Sequence, residues 1–395
     1  MSGRDLFCQP RRVRRGATLT LVFAGVLIAG AATGSFPESD RPARKAAAGP
    51  VGPAARHEAV ERAAAEALAD GKSPMEAAER AVSRSGDRWA AVYSEGEYEE
   101  FQDALDGRYT GVGLWARQEA DGGIEVTRVQ SGSPAADAGI RAGDRLRSVD
   151  GKKVDGWPVT EVVARLRGDA LRGDSDDGPA GTTVTLGLER GTRAWTETLH
   201  RARLSTDSVT VRRLSGGVTV LRIAAFTKGS ADAVREALRA APGDGRTVLD
   251  LRGNSGGLVT EAVDTASAFL DGGLVATYDV DGAQRALHAA SGGDTTRPLV
   301  VLVDGGTMSA AELLTGALQD RGRAVVIGSR TFGKGSIQMP TELPDGSVAE
   351  LTVGHYRTPS GRTVDGRGLT PDLEAGPGQA LSRARTVLTG LGAPS

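Results

Sequence analysis

Leu299-Val300-Val301-Leu302-Val303-Asp304-Gly305-Gly306-Thr307-Met308-Ser309-Ala310-Ala311-Glu312 decides the fold. The unbroken apolar run reads as a strand buried on both faces. Glycines then break the run, and a helix opens at Ser309 and continues to residue 319. Strand, loop and helix in that order make one unit of an α/β layer with a largely parallel sheet. The same alternation surrounds it. Upstream lie strand 217–223, helix 230–240 with Ser230 as N-cap, apolar strand 247–251 and helix 260–270. Downstream lies strand 324–328. Residues 202–376 therefore read as an α/β core, and 377–395 as a C-terminal helix and tail.

Before the core the period changes. Segments 111–115 and 124–129 alternate as strands about an Asp121-Gly122-Gly123 turn. A short helix over 133–140 ends at glycine, a helix follows at 159–166, and strands follow at 181–189 and 192–200. Residues 109–201 thus form a β-rich unit. Its acidic stretch 168–178 is expected to be a mobile surface loop. Residues 56–108 read as helices, broken at Asp70-Gly71-Lys72-Ser73-Pro74, with Ser73 as N-cap and Pro74 at the first helical position. Helices this small must pack on the body behind them or on a second copy, so a homodimer is one expectation.

Residues 36–55 are rich in Pro, Ala and Gly and read as a linker. Residues 1–35 read as a targeting segment. Arg11, Arg12, Arg14 and Arg15 precede an uncharged run, 17–32, shorter than the ~20 residues of a spanning helix. A cleaved signal peptide and a membrane anchor both fit. Either way the bulk of the chain is expected outside the cytoplasm, at the cell membrane or secreted.

Composition narrows the chemistry. The formal net charge of −2 gives no electrostatic footprint for nucleic acid. The single cysteine, Cys8, lies in the basic tail, so neither a disulfide nor a thiol nucleophile is expected. His57, His200, His288 and His355 form no pair at metal-ligand spacing, so no metal or other cofactor is expected.

Ser309 invites two readings. A strand-to-helix junction presents a hydroxyl beside free helix N–H groups, which suits an oxyanion. Equally, Ser309 with Glu312 makes a capping box. Lys334 shifts the balance. It sits in Thr331-Phe332-Gly333-Lys334-Gly335, where burial against Phe332 would favour a neutral amine able to act as a base. Gln338 could hold that amine.

These residues resemble a known family. Thr307-Met308-Ser309-Ala310-Ala311-Glu312, Gly322-Arg323-Ala324, Val326-Ile327-Gly328, Thr331 to Gly335 and Gln338 look like the signature of the carboxy-terminal processing, or tail-specific, peptidases. The resemblance implies a crotonase-like (ClpP-type) α/β serine protease core. It also implies Ser309 as nucleophile, Lys334 as general base and Gln338 as the residue that orients the lysine. Leu249-Asp250-Leu251-Arg252-Gly253-Asn254-Ser255-Gly256-Gly257 is similar to the family's oxyanion turn. It carries one donor to Gly256, with Gly257 as its neighbour, and the second to the Ala310 amide. Residues 109–201 resemble a PDZ domain through Gly111-Val112-Gly113-Leu114, Ser133-Pro134-Ala135-Ala136, Gly143-Asp144 and Asp150-Gly151. Gly111, Val112, Gly113 and Leu114 would then hold the free C-terminus of a protein or peptide substrate. Ser255 departs from the family's usual proline, and Met308 from a small residue.

Two rivals stand beside this reading. Gly253-Asn254-Ser255-Gly256-Gly257 satisfies a nucleophile-elbow pattern, with His288 or His355 as base and Asp304 or another acid as third member. A catalytically idle PDZ scaffold of the cell envelope is the other.

Overall fold

The computed structural model describes residues 52–119, 121–168, 180–243, 245–280 and 283–391. The expected targeting segment, most of the expected linker, nearly all of the acidic stretch 168–178 and the last tail residues lie outside them. Among the described residues no helix is long and apolar enough to cross a membrane.

The chain begins with helices α1 (Pro53–Ala69) and α2 (Pro74–Ser85), strand β1 (Ala91–Tyr93) and helix α3 (Glu95–Leu105). Ser73 caps α2 by accepting from the Glu76 amide at 3.2 Å, and Pro74 occupies its first turn. The Ser94 N–H donates to Glu97 Oε2 at 2.9 Å, closing a capping box on α3. Val60, Ala64 and Ala78 bury against Leu343, Ala349 and Leu351 from the far end of the chain. The helices thus pack on the chain's own body.

The β-rich unit holds β2 (Arg108–Gly111), β3 (Leu114–Gln118), β4 (Ile124–Val129), helix α4 (Pro134–Asp137), β5 (Arg145–Val149), β6 (Lys152–Lys153), helix α5 (Val159–Arg167), β7 (Thr183–Arg190), β8 (Arg193–His200) and β9 (Ala202–Ser205). The sheet runs β3-β4-β5-β7-β8, and β2 pairs with β9 where the chain enters and leaves. The expected continuous strand 111–115 is broken at Val112 and Gly113. Gly113 takes φ +81, and the Ser133 side chain occupies the space its Cβ would fill, 2.2 Å away. Only glycine permits that contact in that conformation. The buried Arg201 seals the end of α5: its guanidinium donates to the carbonyls of Leu166 and Arg165 at 3.0 and 2.9 Å. A cation at a helix C-terminus satisfies carbonyls that no helical N–H can reach.

The core comprises β10 (Val209–Leu214), β11 (Val218–Ile223), α6 (Ser230–Arg239), β12 (Arg246–Asp250), α7 (Val259–Ser267), β13 (Leu274–Val280), β14 (Ala283–His288), β15 (Leu299–Val303), α8 (Ala310–Asp320), β16 (Val325–Gly328), β17 (Ser336–Glu342), β18 (Val348–Arg357), β19 (Leu373–Glu374) and α9 (Ala380–Leu391). The main sheet runs β10-β11-β12-β15-β16-β19, parallel from β11 onward. Leu249, Leu251, Val301 and Val303 face α6, α7 and α8. Val248, Val300, Leu302 and Ile327 face α9. Burial on both faces explains why β15 is apolar at every position. Ser230 is not the cap of α6. Gly229 holds that position at φ 84, and Glu261 of α7 accepts from the Gly229 and Ala231 amides at 2.8 Å each. A carboxylate from a neighbouring helix replaces the serine because it also offsets the positive helix end.

A second sheet, β1-β18-β13-β14 with β17 on β18, packs on the core through Val275, Ala276 and Tyr356.

Candidate active site

Ser309 lies between β15 and α8 with φ 55 and ψ −120. Such a conformation in a residue with a Cβ costs about 1–3 kcal/mol and persists only where the surroundings impose it. An ordinary N-cap lies in the extended region instead. The capping reading therefore accounts for the Glu312 contact but not for the backbone. Three neighbours impose the turn. Thr307 Oγ1 donates to the Leu251 carbonyl at 2.9 Å, the Met308 amide donates to the Asn254 carbonyl at 2.9 Å, and Tyr356 Oη donates to the Ser309 carbonyl at 3.1 Å.

Glu312 joins this turn to the lysine loop. Its buried carboxylate accepts from the Ser309 amide at 3.0 Å, the Lys334 amide at 2.9 Å, the Gly333 amide at 2.8 Å and the Thr331 hydroxyl. Burial pushes its carboxyl above the ordinary glutamate value, and the four donors pull it back. The sequence offered Glu312 only as a capping partner. Its spacing from Ser309 was visible, but its contacts across the loop were not.

Burial also pushes the Lys334 ammonium below the ordinary lysine value, and the charges of Glu350 and Asp87 oppose that shift. Among the described residues Lys334 Nζ makes no ion pair and no hydrogen bond, including to Ser309 Oγ. Its close neighbour is the Trp89 ring, whose centre is 5.1 Å away. Gln338 donates to Ser336 Oγ at 2.8 Å and Thr352 Oγ1 at 3.3 Å rather than to the lysine. Glu350 is itself pushed up by burial, with Lys334 pulling it down. Neither Trp89 nor Glu350 could be singled out by motif, because each arrives from a different sheet strand or segment.

Ser309, Lys334, Gln338, Ala310 and Ser255 line one cleft of about 420 Å³. Gly256 presses against the nucleophile turn: a Cβ there would lie 2.9 Å from the Ser309 Cβ. Its amide is already engaged by Asn254 Oδ1 at 2.8 Å. Gly257 faces the cleft, and among the described residues neither its amide nor that of Ala310 donates a hydrogen bond. No histidine lines the cleft among the described residues. His288 ends the exposed edge strand β14, and His355 lies 3.8 Å from Asp365 outside the cleft. Among the described residues no cluster of side chains could hold a metal ion. Gly111, Val112 and Leu114 line a second groove of about 350 Å³ together with Arg128 and Val163; it adjoins the cleft at Tyr109, Arg167, Thr206 and Ser208.

Comparison with known proteins follows the same division. The profile of Peptidase family S41 matches residues 217–375, and that of the PDZ domain matches residues 125–171. The chain is 33% identical over 327 residues to carboxyl-terminal-processing peptidase 3, chloroplastic, of Arabidopsis thaliana, covering 78% of this chain and 61% of that one. It is 33% identical over 287 residues to the carboxy-terminal-processing protease of Bartonella bacilliformis, covering 69% and 63%. The chain therefore spans less than two thirds of the length of these relatives. Among solved structures, a photosystem II D1 C-terminal processing protease aligns with 28% identity and a TM-score of 0.49, over 81% of this chain and 86% of that one. Matched over residues 217–375 by Peptidase family S41 and over residues 125–171 by the PDZ domain, the chain is a homologue of the carboxy-terminal processing peptidases.

Proposed function

We propose that the chain is a serine endopeptidase with a Ser309–Lys334 dyad that acts on proteins with free C-termini. The observation that carries this reading is the pairing, in one cleft, of a serine forced to positive φ with a lysine that has no counter-ion in contact. In this reading Lys334 Nζ, held beside the Trp89 ring, closes on Ser309 Oγ across the cleft they share. The neutral amine takes the hydroxyl proton as Ser309 attacks the scissile carbonyl, and an acyl-enzyme forms. The Gly257 and Ala310 amides, free and facing the cleft, are the better-placed pair for the oxyanion; Gly256 shapes the turn. Lys334 then returns the proton to the leaving amine and activates water. Gln338, which lines the same cleft, orients the amine in this reading.

The PDZ groove supports C-terminal recognition. Tyr109, Arg167, Thr206 and Ser208 line both that groove and the catalytic cleft, so an extended chain seated in one runs toward the other. Export, with residues 17–32 as signal or anchor, belongs to the same reading. S309A and K334A, each tested on a disordered protein such as casein, should lose cleavage by at least about 10³-fold while keeping the wild-type melting temperature or exceeding it. S255A should cleave within a few-fold of wild type. Loss of activity in S255A alone would overturn the dyad.

A further inference from the structure

The lysine's wall comes from outside the peptidase core. Trp89 precedes the stretch matched by the S41 profile, yet its ring lies over Lys334 Nζ. The same ring packs on Phe332 of the lysine loop, with centroids 5.7 Å apart and planes tilted by 60°. Its backbone is fixed in place. The Trp89 amide donates to Asp87 Oδ1 at 3.1 Å, and Asp87 accepts from the Thr352 amide and hydroxyl at 3.1 and 3.0 Å. β1 then pairs with β18 so that Ala91 lies opposite Glu350. Residues 87–93 are thereby fastened to the strand that carries Glu350 and that receives Gln338 at Thr352.

We propose that Trp89 is a positioning residue for the dyad lysine, its indole face holding Nζ in the cleft and keeping water from it. The N-terminal segment then belongs to the active site and is more than a cover for the sheet. This proposal rests on the Ser309–Lys334 reading. Two effects of the ring oppose each other. Attraction of the ammonium to the ring face favours the charged form by about 0.5–2 kcal/mol. Exclusion of water favours the neutral amine, with shifts of up to about 3–5 pH units for complete burial. The second effect is larger, so removing the ring exposes Nζ and makes deprotonation harder. The other charged or titratable groups around the lysine are Glu350 on β18, Asp87 beside Trp89, Glu312 beneath the loop, and the Asp365–Arg88 pair, where Asp365 accepts from the Gly335 amide at 3.2 Å. Tyr93 and Tyr356 add phenols that burial holds neutral. Of these, only the Arg88 guanidinium rests on the indole, 4.7 Å from the ring centre.

The test follows phosphonylation of Ser309 by a fluorophosphonate probe against pH, in the full chain, for wild type, W89F, W89L, W89A and K334A. W89A should move the acid limb of the labelling rate up by about one pH unit, a roughly tenfold loss below the limb, and should regain the wild-type rate above it. W89F should stay near wild type and W89L should fall between. An acid limb in W89A at the wild-type pH overturns the proposal, whether the rate is unchanged or uniformly lower. Where W89A does not fold, W89L decides by the same criterion. If K334A labels with the wild-type rate and limb, the dyad fails and Trp89's role with it. If K334A loses labelling and no Trp89 variant moves the limb, only the role of Trp89 fails.

Discussion

A lysine used as a base must be neutral, so activity should rise with pH through the lowered Lys334 value and flatten above it. kcat/KM measured against pH should show that limb below the ordinary lysine value of about 10.4, and K334R should be inactive at every pH, because a guanidinium does not deprotonate. The same burial has a cost in stability. The folded-state value of Lys334 is depressed, so the unfolded chain binds the proton more readily. Stability therefore rises with pH between the folded and unfolded values, and is lost as pH falls through the folded one. K334M should remove that slope and melt higher at neutral pH, by roughly 2–4 °C for each kcal/mol recovered. Thermal melts from pH 6 upward measure both.

At the scale of elements, the site is a junction of two loops clasped by one carboxylate. E312A strands the Ser309, Gly333 and Lys334 amides and the Thr331 hydroxyl. An unmet buried donor costs about 1–3 kcal/mol, so E312A should lose at least about 3 kcal/mol in denaturant titration, together with cleavage. G256A should lose about 1–3 kcal/mol of stability and lose activity by more than the unfolded fraction accounts for, since the added methyl meets the Ser309 Cβ at 2.9 Å and the backbone there holds φ +103. An equal loss of fold and of activity would place Gly256 in the scaffold alone. Among the strands, β12, β15 and β16 were legible because burial on both faces leaves an apolar run. The sheet β1-β18-β13-β14 was not. β14 is exposed and mixed in composition, and β17 carries Pro340 at an edge, so neither shows a clean two-residue period.

For the whole molecule, the contiguous PDZ groove and catalytic cleft predict coupling between C-terminus and chemistry. A peptide with a free C-terminal carboxylate should bind S309A at least about tenfold more tightly than its amidated twin, read by fluorescence anisotropy, because the groove's N–H groups and Arg128 have then lost their anion. Equal affinity for the two would remove C-terminal recognition from the proposed function.

Local pattern in the sequence determined the α/β core, the β-rich unit before it, the helix opening at Ser309 and the glycine-flanked setting of Lys334. Those features depend on periodicity, turn residues and short-range spacing, which the chain displays along its length. Tertiary structure alone decided three others. It set Ser309 at positive φ, engaged the Gly256 amide with Asn254 while leaving that of Gly257 free, and carried Trp89 and Glu350 to the lysine. Each depends on which loops and strands meet across the sheets. The register of β1 on β18 and the packing of the Gly253–Gly257 turn against the loop that follows β15 fix those meetings, and no local signal encodes them.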